Sequence, residues 1–278
     1  MCRARSESVL PMKECRFAHT GIDVHYIEAG SGMPLLLLHG SGPGASTAGN
    51  WRKVLEPLAA HYHVFAMDLI GFGKSGRKPR PPFFDLDLWM EQCKAMLERL
   101  PGEAVGILGH SVSGALALKL ASCSSKVRAV MTTGCMGAVF APTPQTETTW
   151  TFPKNRDALV AAARNLIHDP DLIDEAYVSN RESVLYCGDY ESYFASMFGG
   201  DKRRFIDATA LSAEELGRIR CNVLMLHGRE DRGFPPELSL RIAESLPQAD
   251  VMLLGRCSHS IAFEFPEKLV AVATAFFK

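Results

Sequence analysis

The chain has 278 residues, 47% of them hydrophobic and 22% charged, with a formal net charge of −1 at pH 7. A chain of this length and apolar content can bury one large core, which favours a single α/β domain with an inserted lid over two independent domains. The near-zero net charge argues against nucleic acid and anionic membranes as partners. No apolar run in the sequence is long enough to span a membrane.

The cysteines are scattered along the chain without C-x-x-C or paired metal-ligand spacing. We therefore expect free thiols in a reducing compartment rather than a disulfide framework. Residues 1–8 lack the apolar stretch of a signal peptide, so the protein is predicted to be cytoplasmic, and a homo-oligomer is left open. The eight cysteines are Cys2, Cys15, Cys93, Cys123, Cys135, Cys187, Cys221 and Cys257.

The first predicted element is an antiparallel hairpin, with strands at residues 17–19 and 22–28 around Thr20-Gly21. Further strands are predicted at the apolar runs 35–38, 64–67, 105–108, 127–132, 223–226 and 251–254. Helices are predicted at 51–60, 86–100, 112–122, 236–245 and 267–277. Because continuous apolar strands alternate with helices, we expect an eight-stranded, mostly parallel sheet covered on both faces.

The pattern changes between residues 137 and 207, where prolines cluster at Pro142, Pro144 and Pro153. Amphipathic helices such as 156–166 follow with no strand between them. The sequence therefore predicts a helical lid at 137–207, inserted between core segments 1–136 and 208–278.

The segment Gly109-His110-Ser111-Val112-Ser113-Gly114 joins an apolar strand to an apolar helix. Small residues two before, two after and three after Ser111 permit the sharp turn, with the serine at positive φ, that holds a nucleophile above a sheet. Ser113 stands where the G-x-S-x-G pattern has its second glycine. The alternative is a small-residue turn with no catalytic role.

Two later strands end in residues that could activate this serine. A serine hydroxyl needs a general base, and that imidazole needs a carboxylate to fix its tautomer. His259 and Asp231 supply those groups in the chain order Ser, acid, His, with Glu230 as the rival acid. A histidine or aspartate alone would more often be structural.

The loop His39-Gly-Ser-Gly-Pro-Gly44 follows the 35–38 strand. Its glycines let backbone N–H groups approach a substrate oxygen, so the N–H groups of Ser41 and Val112 are predicted to form an oxyanion hole. Phosphate binding is the alternative, but the loop matches neither G-x-G-x-x-G nor the P-loop, and no helix obviously opens from it.

Two other groups of residues favour structural roles. Cys257 lies near His259 but lacks an elbow, which favours buried packing over a nucleophilic role. His61 and His63 could ligate a metal from one strand face, but no third ligand with sensible spacing is visible. No metal or organic cofactor is expected.

The loop at 39–44 with Asn50-Trp51-Arg52 resembles the meta-cleavage-product hydrolases of the α/β-hydrolase superfamily, notably the 2-hydroxymuconate-semialdehyde hydrolases. Further similarity lies at 68–75, 180–183, 196–208 and 227–231, so the resemblance covers nearly the whole chain beyond the first dozen residues. It implies an α/β-hydrolase fold. It also favours Asp231 over Glu230, because those hydrolases place the acid directly before an x-x-x-Pro segment, here 232–235.

The resemblance implies hydrolysis of a carbon–carbon bond in a 2-hydroxy-6-oxohexa-2,4-dienoate. Arg181 would bind the substrate carboxylate, although from the sequence alone a lid arginine is more often a solvated charge. Three residues depart from the family pattern: His110 replaces asparagine, Ser113 replaces glycine, and Ser260 replaces tryptophan. The implied substrate-binding residues are Gly42, Asn50, His110, Arg181 and Ser260.

Two alternatives remain open, a carboxylesterase or related acyl hydrolase and a hydrolase-like ligand sensor. In either case the expected partner is a small molecule. Aromatic and methionine side chains of the lid could line the other end of the pocket or simply pack together. They are Phe140, Trp150, Phe152, Phe194, Met197 and Phe198.

Overall fold

The computed structural model describes residues 12–278, so Cys2 and the segment 1–8 lie outside the described residues. The strands are β1 Lys13–His19, β2 Ile22–Ala29, β3 Pro34–Leu38, β4 His63–Met67, β5 Val105–His110, β6 Val127–Thr133, β7 Asn222–Gly228 and β8 Ala249–Leu254. The helices are α1 Thr47–Asn50, α2 Leu55–Ala59, α3 Leu86–Arg99, α4 Val112–Cys123, α5 Pro144–Thr149, α6 Arg156–Leu166, α7 Glu175–Leu185, α8 Tyr190–Met197, α9 Arg203–Thr209, α10 Ala213–Arg218, α11 Glu237–Glu244, α12 Ile261–Glu264 and α13 Pro266–Phe276.

The strands form one sheet in the order β1-β2-β4-β3-β5-β6-β7-β8. β1 and β2 pair antiparallel, as do β2 and β4, and all later neighbours are parallel. The hairpin turns through Thr20 and Gly21, which both have positive φ and so match the right-handed twist of the strands. The eight-stranded, mostly parallel sheet predicted from the sequence is confirmed.

The central strands are buried on both faces. In β3, Leu36 and Leu38 join one apolar cluster while Leu35 and Leu37 join the other, because successive side chains of a strand point to opposite faces. Helices on each side complete the two clusters. The carboxyl ends of β5, β7 and β8 meet at one edge of this rigid layer.

The predicted helix at 51–60 is wrong in its first part. Residues 51–54 form turns, and α2 begins only at Leu55. A helix that started at residue 51 would place Pro57 inside it, where the ring clashes with the carbonyl four residues earlier; a start at Leu55 puts Pro57 in the first turn.

A single helical turn, α1, does open from the glycine-rich loop, contrary to the sequence prediction. Ser46 caps it by accepting a hydrogen bond from the N–H of Gly49 at 3.0 Å. Its four residues match no phosphate-binding motif in the sequence.

Helices α5 to α10 lie between β6 and β7 in the chain, with no strand among them. They include the predicted amphipathic helix at Arg156–Leu166. Within residues 12–278, no helix is both long and apolar enough to cross a membrane.

Candidate active site

Ser111 lies at the junction of β5 and α4 with φ of 58° and ψ of −122°. Its N–H donates to the carbonyl of Thr133 at 2.9 Å, and its own carbonyl accepts from Gly114 and Met136. A non-glycine residue is strained at this φ, and such strain persists only where the surroundings fix it. The strand-to-helix turn therefore has the geometry of a nucleophile elbow.

The small residues around Ser111 are required by close packing. A Cβ atom at Gly109 would lie 2.3 Å from the carbonyl oxygen of Ser113. Ser113 is fully buried, and its hydroxyl donates to the carbonyl of His39. The residue that replaces the usual glycine thus ties the elbow to the glycine-rich loop.

Asp231 and His259 form a buried pair at the ends of β7 and β8. His259 Nδ1 lies 2.6 Å from Asp231 Oδ2, and Asp231 Oδ1 accepts hydrogen bonds from the N–H groups of Gly233 and Phe234. Burial opposes ionisation of Asp231, but the imidazoles of His259 and His227 outweigh it and hold the pKa of the carboxyl well below its usual range. An ionised acceptor keeps the proton on Nδ1 and leaves Nε2 as the basic nitrogen.

His227 and Phe234 support this pair, and sequence reasoning missed both. His227 Nε2 lies 2.8 Å from the carbonyl of Phe234 and 3.5 Å from Asp231 Oδ2, while its Nδ1 contacts Ser239. The ring of Phe234 stacks on His259 at 4.6 Å between centroids. The only sequence feature that could have identified His227 and Phe234 as supporting residues is their position near Asp231.

Glu230 points away from this pair. Its carboxylate accepts the N–H of Cys257 at 3.0 Å, and that hydrogen bond lowers the pKa of Glu230. Cys257 is fully buried, and burial raises the pKa of its thiol, which is typical of packing rather than of a nucleophile. The geometry favours Asp231 as the acid.

Within residues 12–278, no hydrogen bond joins Ser111 Oγ to the His259 imidazole, but the residues next to Ser111 bring the two close. The N–H of Ser111 donates a hydrogen bond to the carbonyl of Thr133. Gly134 follows Thr133 in the chain, and a Cβ atom added to Gly134 would lie 2.8 Å from His259 Nδ1. The rings of His110 and His259 are 4.7 Å apart between centroids. Hydrogen bonds between catalytic groups are often long before substrate binds.

The two N–H groups predicted for the oxyanion hole lack backbone partners. Val112 occupies the first position of α4, where an N–H has no acceptor within the helix. In the part of the chain that the structure describes, the N–H of Ser41 makes no backbone hydrogen bond. The hydroxyl of Ser41 accepts from Nε1 of Trp150 at 3.1 Å, so a residue of the segment between β6 and β7 fixes this loop.

A cavity of about 20 Å³ lies beside the elbow, and we name it the acid-end cavity. It brings together four of the five residues predicted to bind substrate. Gly42 is not among its lining residues and instead closes a turn by accepting the N–H of Ala45. The space holds about one water molecule, so substrate entry requires side chains to move. The lining residues are Gly49, Asn50, His110, Tyr177, Arg181, Ser260, Ala262 and Phe263.

Arg181 reaches from α7 across to the glycine-rich loop. Its Nη1 donates to the carbonyl of Pro43 at 2.7 Å, and its guanidinium lies 5.4 Å from the ring centre of Tyr177. Within residues 12–278, no carboxylate lies within 4.0 Å of Arg181. A half-buried arginine with an unneutralised charge is suited to an anionic ligand.

Nδ1 of His110 makes hydrogen bonds within the protein, whereas Nε2 makes none with the described residues. Nδ1 lies 3.0 Å from the carbonyl of Thr133, which can only accept, so Nδ1 carries the proton and Nε2 is an acceptor. Burial, followed by the nearby His259, lowers the pKa of His110 well below 6.5 and keeps it neutral. Ser260 N–H donates to the carbonyl of Leu166, which joins this wall to the lid.

The lid aromatic side chains named in the sequence are all buried. Trp150 stacks parallel to Phe198 at 5.9 Å and meets Phe234 edge-on at 5.5 Å. Through Phe234 and through Ser41, this aromatic cluster contacts both the His259 ring and the glycine-rich loop. The cluster therefore packs against the residues that support His259 and Ser41, and none of its members lines the acid-end cavity.

His61 and His63 have different surroundings in the structure. His61 lies in the turn before β4, and His63 Nε2 contacts Glu28 at 2.8 Å. Among the residues from Met12 onward, no group of three potential metal ligands is found.

The model of the alpha/beta hydrolase family matches residues 35–272. The chain is 31% identical to a 2-hydroxy-6-oxo-2,4-heptadienoate hydrolase of Pseudomonas putida, over 88% of each chain. It is also 31% identical to a 2-hydroxymuconate semialdehyde hydrolase of a Pseudomonas species, over 92% of this chain and 90% of that one.

The chain is also similar to solved structures of such hydrolases. The 2-hydroxy-6-oxo-6-phenylhexa-2,4-dienoate hydrolase of a Rhodococcus species is similar with a TM-score of 0.88 at 27% identity, covering 97% of this chain and 99% of that one. A meta-cleavage product hydrolase of Pseudomonas fluorescens has a TM-score of 0.90 at 28% identity, covering 95% and 97%. The chain is a hydrolase of the alpha/beta hydrolase family and belongs, within it, to the meta-cleavage-product hydrolases.

Proposed function

We propose that this protein hydrolyses the bond between carbons five and six of a 2-hydroxy-6-oxohexa-2,4-dienoate, a ring-cleavage product in the degradation of aromatic compounds. The observation that carries this proposal is the acid-end cavity. There, the unneutralised Arg181 faces the same space as Asn50 and His110, and His110 directly precedes Ser111 in the chain. A substrate carboxylate held in this cavity would direct the rest of the molecule toward the elbow.

The two ends of the site supply different parts of the reaction. Carbon is a poor leaving group, so the dienol must first become a ketone, into which the electrons of the breaking bond can flow. Arg181 and Asn50 would hold the carboxylate while negative charge develops beside it. His259, oriented by Asp231, would move the protons.

Ser111 would attack or polarise the carbonyl at carbon six. The N–H groups of Ser41 and Val112 would stabilise the oxyanion, and the loss of one such donor costs about 2.7–4 kcal/mol in the barrier. Water then completes the cleavage, which gives a 2-hydroxypenta-2,4-dienoate and a carboxylic acid. Only side chains and backbone groups of this chain carry these steps, and the proposed site includes no cofactor.

His110 would contribute a hydrogen-bond acceptor to a cavity otherwise rich in donors. A carboxylate needs donors, which Arg181 and Asn50 supply, whereas the 2-hydroxyl group of the dienol needs an acceptor. Nε2 of His110 has that property because Thr133 fixes the tautomer. The replacement of the family asparagine is therefore compatible with binding of the same substrate end.

The test is loss of the yellow dienoate colour on mixing the protein with substrates that carry hydrogen, methyl or phenyl at carbon six. We expect turnover of at least one of them, with the Ser111→Ala variant as the blank. Turnover of simple esters but of no dienoate would contradict the proposal and favour a carboxylesterase. A single event per protein molecule would favour a ligand sensor.

Three further points belong to the same proposal. The lid would correspond to residues 137–207, as supported by the helices that lie in the chain between the paired strands β6 and β7. The partner is a small carboxylate. The cytoplasm is the proposed location, supported by the free thiols of all seven cysteines within residues 12–278.

A further inference from the structure

A second cavity, of about 280 Å³, adjoins the acid-end cavity, and we name it the outer cavity. The two share Gly49, Tyr177 and Arg181 in their walls. Arg181 therefore stands between a small inner space and a much larger outer one. A ligand in the outer cavity would already touch the residue proposed to receive the carboxylate.

The charged side chains that line the outer cavity are all positive. Among residues 12–278, Arg52 and Arg181 are the only charged side chains that line it, and no aspartate or glutamate of this range does. Neither arginine lies within 4.0 Å of a carboxylate in the described part of the chain. Two unneutralised guanidinium groups in one concave wall raise the local concentration of anions.

The positions of the two arginines suit a path from solvent inward. Arg52 is exposed, with its guanidinium 5.1 Å from the ring centre of Phe263, and so keeps its donors free. Arg181 is half-buried and uses one donor on Pro43. The remaining polar groups of the wall, such as Asn180, can solvate a carboxylate without competing for its charge.

We propose that the outer cavity is a carboxylate-binding vestibule, in which Arg52 binds the incoming dienoate before Arg181 takes over its carboxylate. This inference rests on the proposed function for the identity of the ligand. It adds a site and a residue to the acid-end cavity. Arg52 increases the rate at which substrate is bound, whereas the carbon–carbon bond is broken at Ser111.

The kinetic test compares Arg52→Gln with Arg52→Lys and with Arg241→Gln, a matched control at an exposed arginine of α11. At low salt, Arg52→Gln should lower kcat/KM for the dienoate by roughly three- to tenfold, and 0.5 M salt should remove most of the difference because it screens exposed charges. The loss should appear in KM rather than in kcat. Arg52→Lys and Arg241→Gln should stay close to the parent.

Two results would overturn the vestibule. One is the same kcat/KM for Arg52→Gln and Arg241→Gln at both salt concentrations. The other is an equal loss on the neutral ester p-nitrophenyl acetate, because general damage to the fold would slow both substrates alike.

A binding experiment separates this inference from the proposed function. Hexa-2,4-dienoate and its neutral amide are titrated into the parent and into Arg52→Gln by calorimetry. We expect the variant to lose affinity for the acid only. If the parent cleaves no dienoate but this selective loss is seen, the proposed reaction is wrong and the carboxylate site stands; if dienoates are cleaved and the two ligands respond alike, the vestibule is wrong.

Discussion

The catalytic edge and the acid-end cavity are built in different ways. At the edge, backbone hydrogen bonds hold two of the three proposed catalytic residues: Ser111 is fixed through Thr133, and Asp231 through the N–H groups of Gly233 and Phe234, while the Asp231 carboxylate contacts His259. At the acid end, Arg181 is half-buried and makes its one hydrogen bond to Pro43. The edge is tied by backbone hydrogen bonds in the absence of substrate, whereas the cavity has room for about one water and must adjust to admit a ligand.

The residues proposed for catalysis are thus held differently from those proposed to recognise the substrate. The strands of the core position the groups proposed to react, and α7 carries Arg181, the charge proposed to select the substrate. Changes at the edge should therefore affect every substrate, while changes at the acid end should affect only substrates that carry a carboxylate. The following predictions test that separation, from the largest expected effect to the smallest.

Ser111→Ala and His259→Ala should each lower turnover by about 10³-fold or more, because the nucleophile and the base act as one unit. The loss should be similar on dienoates and on neutral esters. Stopped-flow absorbance measures the rate, and circular dichroism checks the fold. Activity comparable to the parent in both variants would remove the proposed triad.

Asp231→Asn should lower turnover by about 10³- to 10⁴-fold, because an amide does not hold His259 in the required tautomer. Glu230→Gln is the matched control: it loses part of the hydrogen bond to Cys257, which costs stability of about 1 kcal/mol and little activity. Steady-state rates and urea unfolding of both variants check this. The reverse ranking of the two rates would reassign the acid.

Arg181→Gln should lower kcat/KM for a dienoate by roughly ten- to a hundredfold, since it removes a charge-assisted contact to the carboxylate. Hydrolysis of p-nitrophenyl acetate should hardly change. Arg181→Lys should recover only part of the loss, because an ammonium group lacks the planar fork. Equal effects on both substrates, or none on either, would mean that Arg181 does not recognise the carboxylate.

Ser113→Gly should have the smallest effect on turnover of these variants. It removes the hydrogen bond to the carbonyl of His39, about 0.5–1.5 kcal/mol, and places a glycine in α4, about 0.5–1 kcal/mol more. Ser113→Ala loses only the first part. Thermal unfolding should rank the parent above the alanine variant and the glycine variant last; a glycine variant as stable as the parent would show that the serine is not needed to join the two loops.

The elbow could be predicted because its requirements are local. Gly109, Ser111 and Ser113 lie within a few residues of one another, and small side chains at that spacing mark a turn that larger ones would block. The sheet could be predicted for the same reason, from apolar runs of strand length. The roles of the catalytic residues stay predictions until the variants are measured.

Contacts between distant segments could not be predicted. The hydrogen bond from Arg181 to Pro43 and the stacking of Phe234 on His259 join parts of the chain whose sequences carry no mutual pattern. The error at residues 51–60 is different, since Pro57 was a visible sign that a helix could not start before Leu55.

The hydrogen bond from Trp150 to the hydroxyl of Ser41 has a consequence for the order of events during a catalytic cycle. Trp150 belongs to the lid, whereas Ser41 carries one of the two proposed oxyanion donors. If residues 137–207 act as a lid, lifting it to admit a substrate would release this hydrogen bond, so the loop would lose one of its contacts while the site is open and regain it on closure. The proposed oxyanion donor would then be aligned only when the site is closed to bulk water, and an open site would hydrolyse esters poorly.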